Sequence, residues 1–254
     1  LTYLVGADKT DDATGRLGQE TTTEDAEGGV TTARGCRIDD LPAARLDEAL
    51  DRLTGPIQQV PSAVSAIRVD GMRSYGRVRR GQDVGLAARS VTIHALERRG
   101  RPRAAVAVNG NGTVGAAGEA GSVGSVGAAD TVEVVDIDLR VACSSGTYVR
   151  ALARDAGAAL GVGAHLTALR RTRVGDFPLE GALTLEELAE AVEAHSDPEA
   201  EPTLPLLPLG VAALSMFPAL PLTQAEAGAF AHGQAPRPPR AQLAQWAAAG
   251  GHGT

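Results

Sequence analysis

The sequence predicts an α+β chain, because stretches with strand periodicity and stretches with helix periodicity alternate along it. Three observations carry this. Val135, Ile137, Leu139 and Val141 alternate with Asp136, Asp138 and Arg140, the period-two pattern of a half-buried strand. The small turn formers Cys143-Ser144-Ser145-Gly146-Thr147 follow, and then Val149, Leu152, Ala153, Ala156 and Leu160 fall at helical spacing, with Gly161 as a C-terminal stop. Asp40 to Gly55 reads as a second helix, with Pro42 in its first turn and Leu46, Leu50 and Leu53 as its buried stripe.

In chain order, Leu1 to Gly6 reads as the end of an apolar element whose beginning lies upstream, and Leu1 is not a natural start residue. Ala13 to Leu17 is a strand and Thr21 to Gly29 a polar turn. Val69-Asp70-Gly71-Met72 is a hairpin turn carried by Asp-Gly, flanked by Arg68 and Arg73. Tyr75, Val78 and the group Arg77, Arg79 and Arg80 begin a short helix, and Ser90 to Leu96 is a strand holding a structural His94. From Gly100 to Ala129 the pattern stops. Glycine recurs at every third position from Gly112 to Gly127, without the proline that a collagen helix needs, so the stretch reads as a flexible low-complexity insert between two strands. Thr184 and Glu187 form a capping box for a helix carrying Leu185, Leu188 and Val192. Thr223 and Glu226 cap another that ends at His232-Gly233, with His232 and His252 as bystanders. The last twenty residues have too little apolar periodicity to complete a small β domain. The expected division is a main domain over 1–194 with its insert at 100–129, a linker over 195–212 and a C-terminal remnant over 213–254.

A chain of 254 residues can bury a sizeable core. Cys36 and Cys143 lie in unlike contexts with no CxxC or ligand spacing, which favours a reducing, cytoplasmic compartment. No apolar run approaches the length of a membrane span, and there is no glycine-rich phosphate loop with lysine and no His/Cys metal cluster. The net charge of −7 hides an uneven distribution. Ile67 to Arg103 holds ten arginines against three acids, and Arg140 to Arg173 holds six against Asp155. Glu180 to Glu201 has eight acids and no base. Local charge density governs phosphate binding, so the two basic stretches suit a nucleic acid despite the acidic total. Arg150 stands at the mouth of the strand-to-helix turn, where free backbone N–H groups and the helix dipole also favour an anionic partner.

The stretches CSSGTYVRALARDAG and LGVGAHLTALRRTRVGDF resemble the tRNA pseudouridine synthase B (TruB) family. Lys9, Leu17-Gly18, Thr21, Thr23, Asp25 and Gly28 are similar to its lysine segment and Thr-x-Thr-x-Asp-x-x-Gly signature; Pro61-Ser62-Ala63, Ser65-Ala66 and Asp70-Gly71 also match. The resemblance runs from Leu1 to Leu188 with one interruption. It implies a mixed, mainly antiparallel sheet flanked by helices, a basic cleft for the tRNA T-loop, and isomerisation of a T-loop uridine with no cofactor or metal by a cytoplasmic, monomeric protein.

The resemblance also implies the roles of residues. Arg150 supports the nucleophilic aspartate, Tyr148 lies against the base, and Leu169 lines the pocket. Arg68, Arg73, Arg77, Arg79, Arg80, Arg170 and Arg171 are the expected contacts to the tRNA backbone, since a guanidinium forks onto phosphate. Two departures stand out. Asp11 occupies the place of the family's base-stacking tyrosine, and a carboxylate offers no stacking platform. The family's nucleophile belongs to a Gly-Thr-Leu-Asp-type motif that these residues do not contain. The expectation is therefore a family member lacking its N-terminal part, with Arg150 facing an empty half-site; the alternative is a tRNA-binding protein without chemistry.

Overall fold

The computed structural model describes residues 4–62, 68–69, 72–73, 86–108, 131–193 and 205–248. Two compact units divide it, Leu1–Leu179 and Glu180–Thr254.

In the first unit, β1 (Lys9–Leu17) buries every second side chain, as its odd-numbered positions require. β2 (Gln19–Thr21) and β3 (Val30–Ala33) form a hairpin around the expected polar turn. α1 (Ala43–Asp51) starts directly after Pro42 and buries Leu46 and Leu50. β4 (Gly55–Gln59) follows, and β5 (Arg68–Val69) pairs with β6 (Met72–Arg73) as the Asp-Gly hairpin reading expects. Next come β7 (Arg89–Val108), β8 (Thr131–Cys143), α2 (Val149–Leu160), β9 (Ala164–Val174) and β10 (Phe177–Pro178).

One six-stranded sheet has the order β10-β9-β1-β8-β7-β4, and every neighbouring pair in it is antiparallel. The expected α+β class with a mainly antiparallel sheet is what the chain forms. α1 and α2 share one core with the sheet, in which Leu17, Leu46, Ile93, Val135, Ile137, Val141, Leu152, Leu160 and Leu166 are all buried. The other sheet face is polar. There Arg16 grips Asp136 through two bonds of 2.8 Å, and Arg140 grips Asp12 through bonds of 2.7 and 2.8 Å. The paired guanidiniums hold the Asp12 and Asp138 carboxyls below their ordinary range, Arg140 acting on the first and Arg103 on the second.

β7 corrects the reading of the insert. The strand runs on to Val108, past Gly100 where the loop was expected to begin. Gly100 takes φ +71°, and the register with β8 shifts between Arg99 and Arg103. A bulge thus absorbs the Arg-Gly-Arg-Pro segment that disguises the strand, and pairing resumes with Arg103 opposite Asp136. The remaining glycine triplets, residues 109–130, lie outside the described residues, as do Tyr75, Arg77, Arg79 and Arg80.

In the second unit, α3 (Leu185–Glu193) begins with the predicted box: Thr184 N–H donates to Glu187 Oε2 at 2.7 Å, and Glu187 N–H donates to Thr184 Oγ1 at 3.1 Å. α3 belongs to the compact unit that begins at Glu180. α4 (Leu209–Met216) starts inside the expected linker, with Pro208 as its N-cap. α5 (Gln224–Ala231) carries the Thr223–Glu226 box. The final segment forms α6 (Arg240–Ala248), whose Trp246 indole donates to the Pro218 carbonyl at 2.9 Å. Among the described residues no helix is long and apolar enough to cross a membrane.

α2 lies very close to the start of β9. Gly157 is in mid-helix, and a Cβ there would overlap the backbone of Gly163 and Ala164. Gly161, at φ +77°, ends the helix in the left-handed region so that the chain can turn back at once. Because the obstruction at position 157 is backbone rather than a flexible side chain, Gly157→Ala is expected to destabilise the protein by about 2 kcal/mol despite alanine's better helix propensity, measured as a shifted urea midpoint at unchanged slope.

His165, buried on β9, donates from Nδ1 to the Gln19 carbonyl at 2.9 Å and so anchors β2. Burial lowers its pKa from the ordinary 6.5. A lowered histidine favours the fold while neutral, so its contribution is complete above pH 6.5 and is lost as pH falls toward the lowered value. Stability should therefore decline with acidification from that point, and His165→Gln should flatten the decline in a pH series of denaturant midpoints.

Candidate functional site

The strand-to-helix turn is held on both sides. Ser144 N–H donates to the Thr92 carbonyl at 2.8 Å, and Thr92 N–H donates to Ser144 Oγ at 2.9 Å. Tyr148 is the N-cap of α2, with extended φ −100° and ψ 106°. Its N–H donates to Gln59 Oε1 at 2.9 Å, and Gln59 Nε2 donates to its carbonyl at 3.2 Å. Gln59, fully buried at the end of β4, thus acts as a substitute peptide group that fixes the Tyr148 backbone. This residue escaped the sequence reading; its only signal is an amide at the buried end of a strand, just before Val60-Pro61.

Arg150 is the second residue of α2, where a cation opposes the positive end of the helix. A carboxylate resolves the conflict. Arg150 Nη1 donates to Asp25 Oδ2 at 2.8 Å and to the Thr23 carbonyl at 3.3 Å. Asp25 is itself fixed, since Thr23 Oγ1 donates to its Oδ1 and Glu27 N–H donates to the same oxygen at 3.1 Å. Arg150, expected to face an empty half-site, has a carboxylate partner within the fold, supplied by the turn of the Thr-x-Thr-x-Asp signature. The sequence reading matched Asp25 to the signature without giving it this partner, which lies 125 residues away along the chain.

Asp11 is fully buried. Arg171 Nε donates to its Oδ1 at 2.9 Å, and Lys9 Nζ stands 3.4 Å from its Oδ2. Lys9 also donates to the Thr147 carbonyl at 2.8 Å, which ties this cluster to the residue before Tyr148. Leu169 pairs with Ala13 across β1 and β9 and is 48 % exposed, on the same sheet face as Asp11 and Arg171. Asp11, Arg171, Leu169 and the Thr147–Tyr148 turn are thus brought together. Arg150 is bound to Asp25.

The basic stretches are less free than their sequence suggests. Arg98, Arg103, Arg140, Arg150, Arg154 and Arg171 all bind carboxylates within the fold. Arg170 and Arg171, adjacent on β9, point to opposite faces. Arg170 is exposed, pairs with no carboxylate among the described residues, and lines an open cavity of about 350 Å³ with Asp12, Thr14, Arg99 and Asp138. Arg68 and Arg73 are register partners in the β5–β6 ladder. Burial pushes the Cys36 and Cys143 thiols up, so neither supplies a thiolate at neutral pH.

Comparison with known proteins supplies the family. The model of the TruB family pseudouridylate synthase N-terminal domain matches residues 1–112, and that of the tRNA pseudouridylate synthase B C-terminal domain matches 150–212. The tRNA pseudouridine synthase B of Paenarthrobacter aurescens is 47% identical over 236 residues, which is 92% of this chain and 63% of that protein. The same-named protein of Leifsonia xyli subsp. xyli is 40% identical over 247 residues, 97% of this chain and 67% of that one. A solved Cbf5-Nop10-Gar1 complex superimposes with a TM-score of 0.43 at 22% identity, covering 75% of this chain and 37% of that one. The chain belongs to the TruB family of pseudouridine synthases. It spans roughly two thirds of the length of these curated relatives.

Removing the Asp11 charge leaves Lys9 and Arg171 beside a buried, uncompensated position. Asp11→Ala is expected to cost about 3 kcal/mol of folding free energy, read from denaturant unfolding. A loss below a tenth of that would mean that water reaches the cluster.

Proposed function

We propose that this chain is the tRNA-binding scaffold of an enzyme that isomerises a T-loop uridine to pseudouridine, the activity carried in the name of its relatives. The observation that best supports the reading is Arg150, a guanidinium held by Asp25 at the first turn of α2, two residues from Tyr148 and within the stretch of densest family resemblance. The isomerisation breaks the N-glycosidic bond, turns the uracil in place and rejoins it through C5. In this reading Tyr148 lies against the base, Leu169 lines its pocket, and Arg150 orients the attacking carboxylate and keeps it ionised at neutral pH. Asp25 supplies the fixed end of that arrangement.

The nucleophile is assigned to the family's Gly-Thr-Leu-Asp-type motif, which the 254 residues do not contain. Asp11 does not suit the role, because its carboxylate is buried and drawn to two cations. The tRNA backbone is assigned to Arg68, Arg73, Arg77, Arg79, Arg80 and Arg170, while Arg171 is committed to Asp11. No cofactor enters this chemistry.

The test is tritium release from tRNA labelled at C5 of uridine, run beside filter binding over a salt series. The C5 hydrogen leaves only when the new C–C bond has formed, so release reports chemistry alone. Release by the chain supports the isomerase reading and places a carboxylate within these residues. Binding without release favours a tRNA-binding protein that lacks the reaction. Arg77→Ala with Arg80→Ala should weaken binding and flatten its salt dependence, whereas Arg150→Ala should leave affinity nearly unchanged. Equal effects from both would remove the division between pocket and backbone contacts.

A further inference from the structure

We propose that Glu24 and Arg154 are positioning residues: together they hold the Thr21–Gly29 turn on α2 so that Asp25 stays bound to Arg150. Their importance for uridine chemistry rests on the functional reading above, but the mechanical claim does not.

Arg150 and Arg154 are one helical turn apart and therefore share a face of α2. They grip consecutive residues of the turn. Arg150 Nη1 bonds Asp25 Oδ2 at 2.8 Å, and Arg154 Nη1 bonds Glu24 Oε1 at 2.8 Å. The turn needs such a grip. Glu24 has φ +62°, the one positive φ at a non-glycine residue among the described residues, a conformation that a side chain disfavours. Its carboxylate is nonetheless drawn inward, only 14% exposed, and its Oε2 has no hydrogen-bond partner among the described residues. The turn is committed to Arg154 through a single oxygen.

The backbone completes the device. Leu166 N–H donates to the Glu24 carbonyl at 3.0 Å, and Asp25 forms a parallel bridge to Leu166, so the strained residue is stitched to β9 on one side and pulled onto α2 on the other. Arg154 is fixed in turn. Its Nε donates to Asp155 Oδ1 at 2.8 Å, and its Nη2 donates to the Val60 carbonyl at 2.9 Å. Val60 follows Gln59, the residue that holds the Tyr148 backbone. One guanidinium therefore connects the turn that carries Asp25 to the strand end that fixes Tyr148.

The test uses the full chain with ¹⁵N-labelled arginine and follows hydrogen exchange of the Arg150 guanidinium, assigned by its disappearance in Arg150→Lys. Loss of one charge-assisted hydrogen bond should release the turn, so Arg154→Ala and Glu24→Ala are each expected to speed Arg150 exchange about tenfold. The double variant should be no faster than either single one, because the two residues act as a pair. Unchanged Arg150 exchange in variants whose far-ultraviolet circular dichroism is native overturns the proposal, and so does a double variant equal to the product of the singles. If the alanine variants do not fold, Glu24→Gln, which keeps the shape and an acceptor, takes their place: faster exchange supports the pair, and unchanged exchange overturns it. Binding of tRNA measured on the same samples separates the two claims. Exchange that responds in a protein with no affinity for tRNA leaves the positioning pair standing and removes the functional reading. Intact binding with an unresponsive Arg150 does the reverse.

Discussion

The distance between α2 and β9 is the constraint on which the candidate site depends. The helix can lie against the strand because Gly157 presents no side chain to the backbone of Gly163 and Ala164. That contact sets the height of the helix above the sheet, and hence where its first turn projects Tyr148 and Arg150. Apolar burial of Leu152, Ala156 and Leu160 supplies the adhesion, but it is non-directional and would tolerate small displacements. The glycine contact does not. A site that must place a guanidinium to within a fraction of an ångström gains from resting on backbone rather than on rotatable side chains.

Charge is distributed by the same economy. Among the described residues, Arg98, Arg103, Arg140, Arg150, Arg154 and Arg171 of the two basic stretches each bind a carboxylate on a neighbouring element. Exposed pairs of this kind add little stability. What they do here is fix register: Arg16 with Asp136 and Arg140 with Asp12 lock β1 to β8 at two points along the strand, and a slip of one residue would move every pair to the wrong face. Asp11 is a different case. In a position where the resemblance leads one to expect an aromatic ring, a carboxylate is buried with two cations, so an electrostatic cluster takes the place of a stacking surface.

Much of the fold was legible in the sequence, for identifiable reasons. The helix from Val149 to Leu160 and its glycine stop carry a strong periodic signal, as does the alternation of Val135 to Val141, and both elements form where the pattern places them. The capping boxes at Thr184 and Thr223 are local chemistry and were equally readable. The extension of β7 to Val108 was not, because a bulge breaks the period-two pattern at the point where arginine, glycine and proline cluster. Of the site, Tyr148, Arg150 and Leu169 could be singled out. Their partners could not, since Asp25 and Gln59 reach them across 125 and 89 residues of chain, and no local pattern encodes such distances. Nor could the sequence say that neighbours Arg170 and Arg171 are dissimilar; alternation puts them on opposite faces, but only the register with Asp11 shows which one is engaged.

The long arm of β7 and β8 has a consequence for how the sheet tolerates change. Val108 and Thr131 stand opposite each other at the end of a paired ladder, so the 22 residues between them leave and return at one point. A doubling of such a connection costs only about 0.6 kcal/mol in closure entropy. A change in the length of that connection therefore leaves the register of the sheet and the placement of α2 as they are. The ladder closes at the one pair Val108–Thr131, so the strands that carry the site hold their spacing independently of what joins them beyond it.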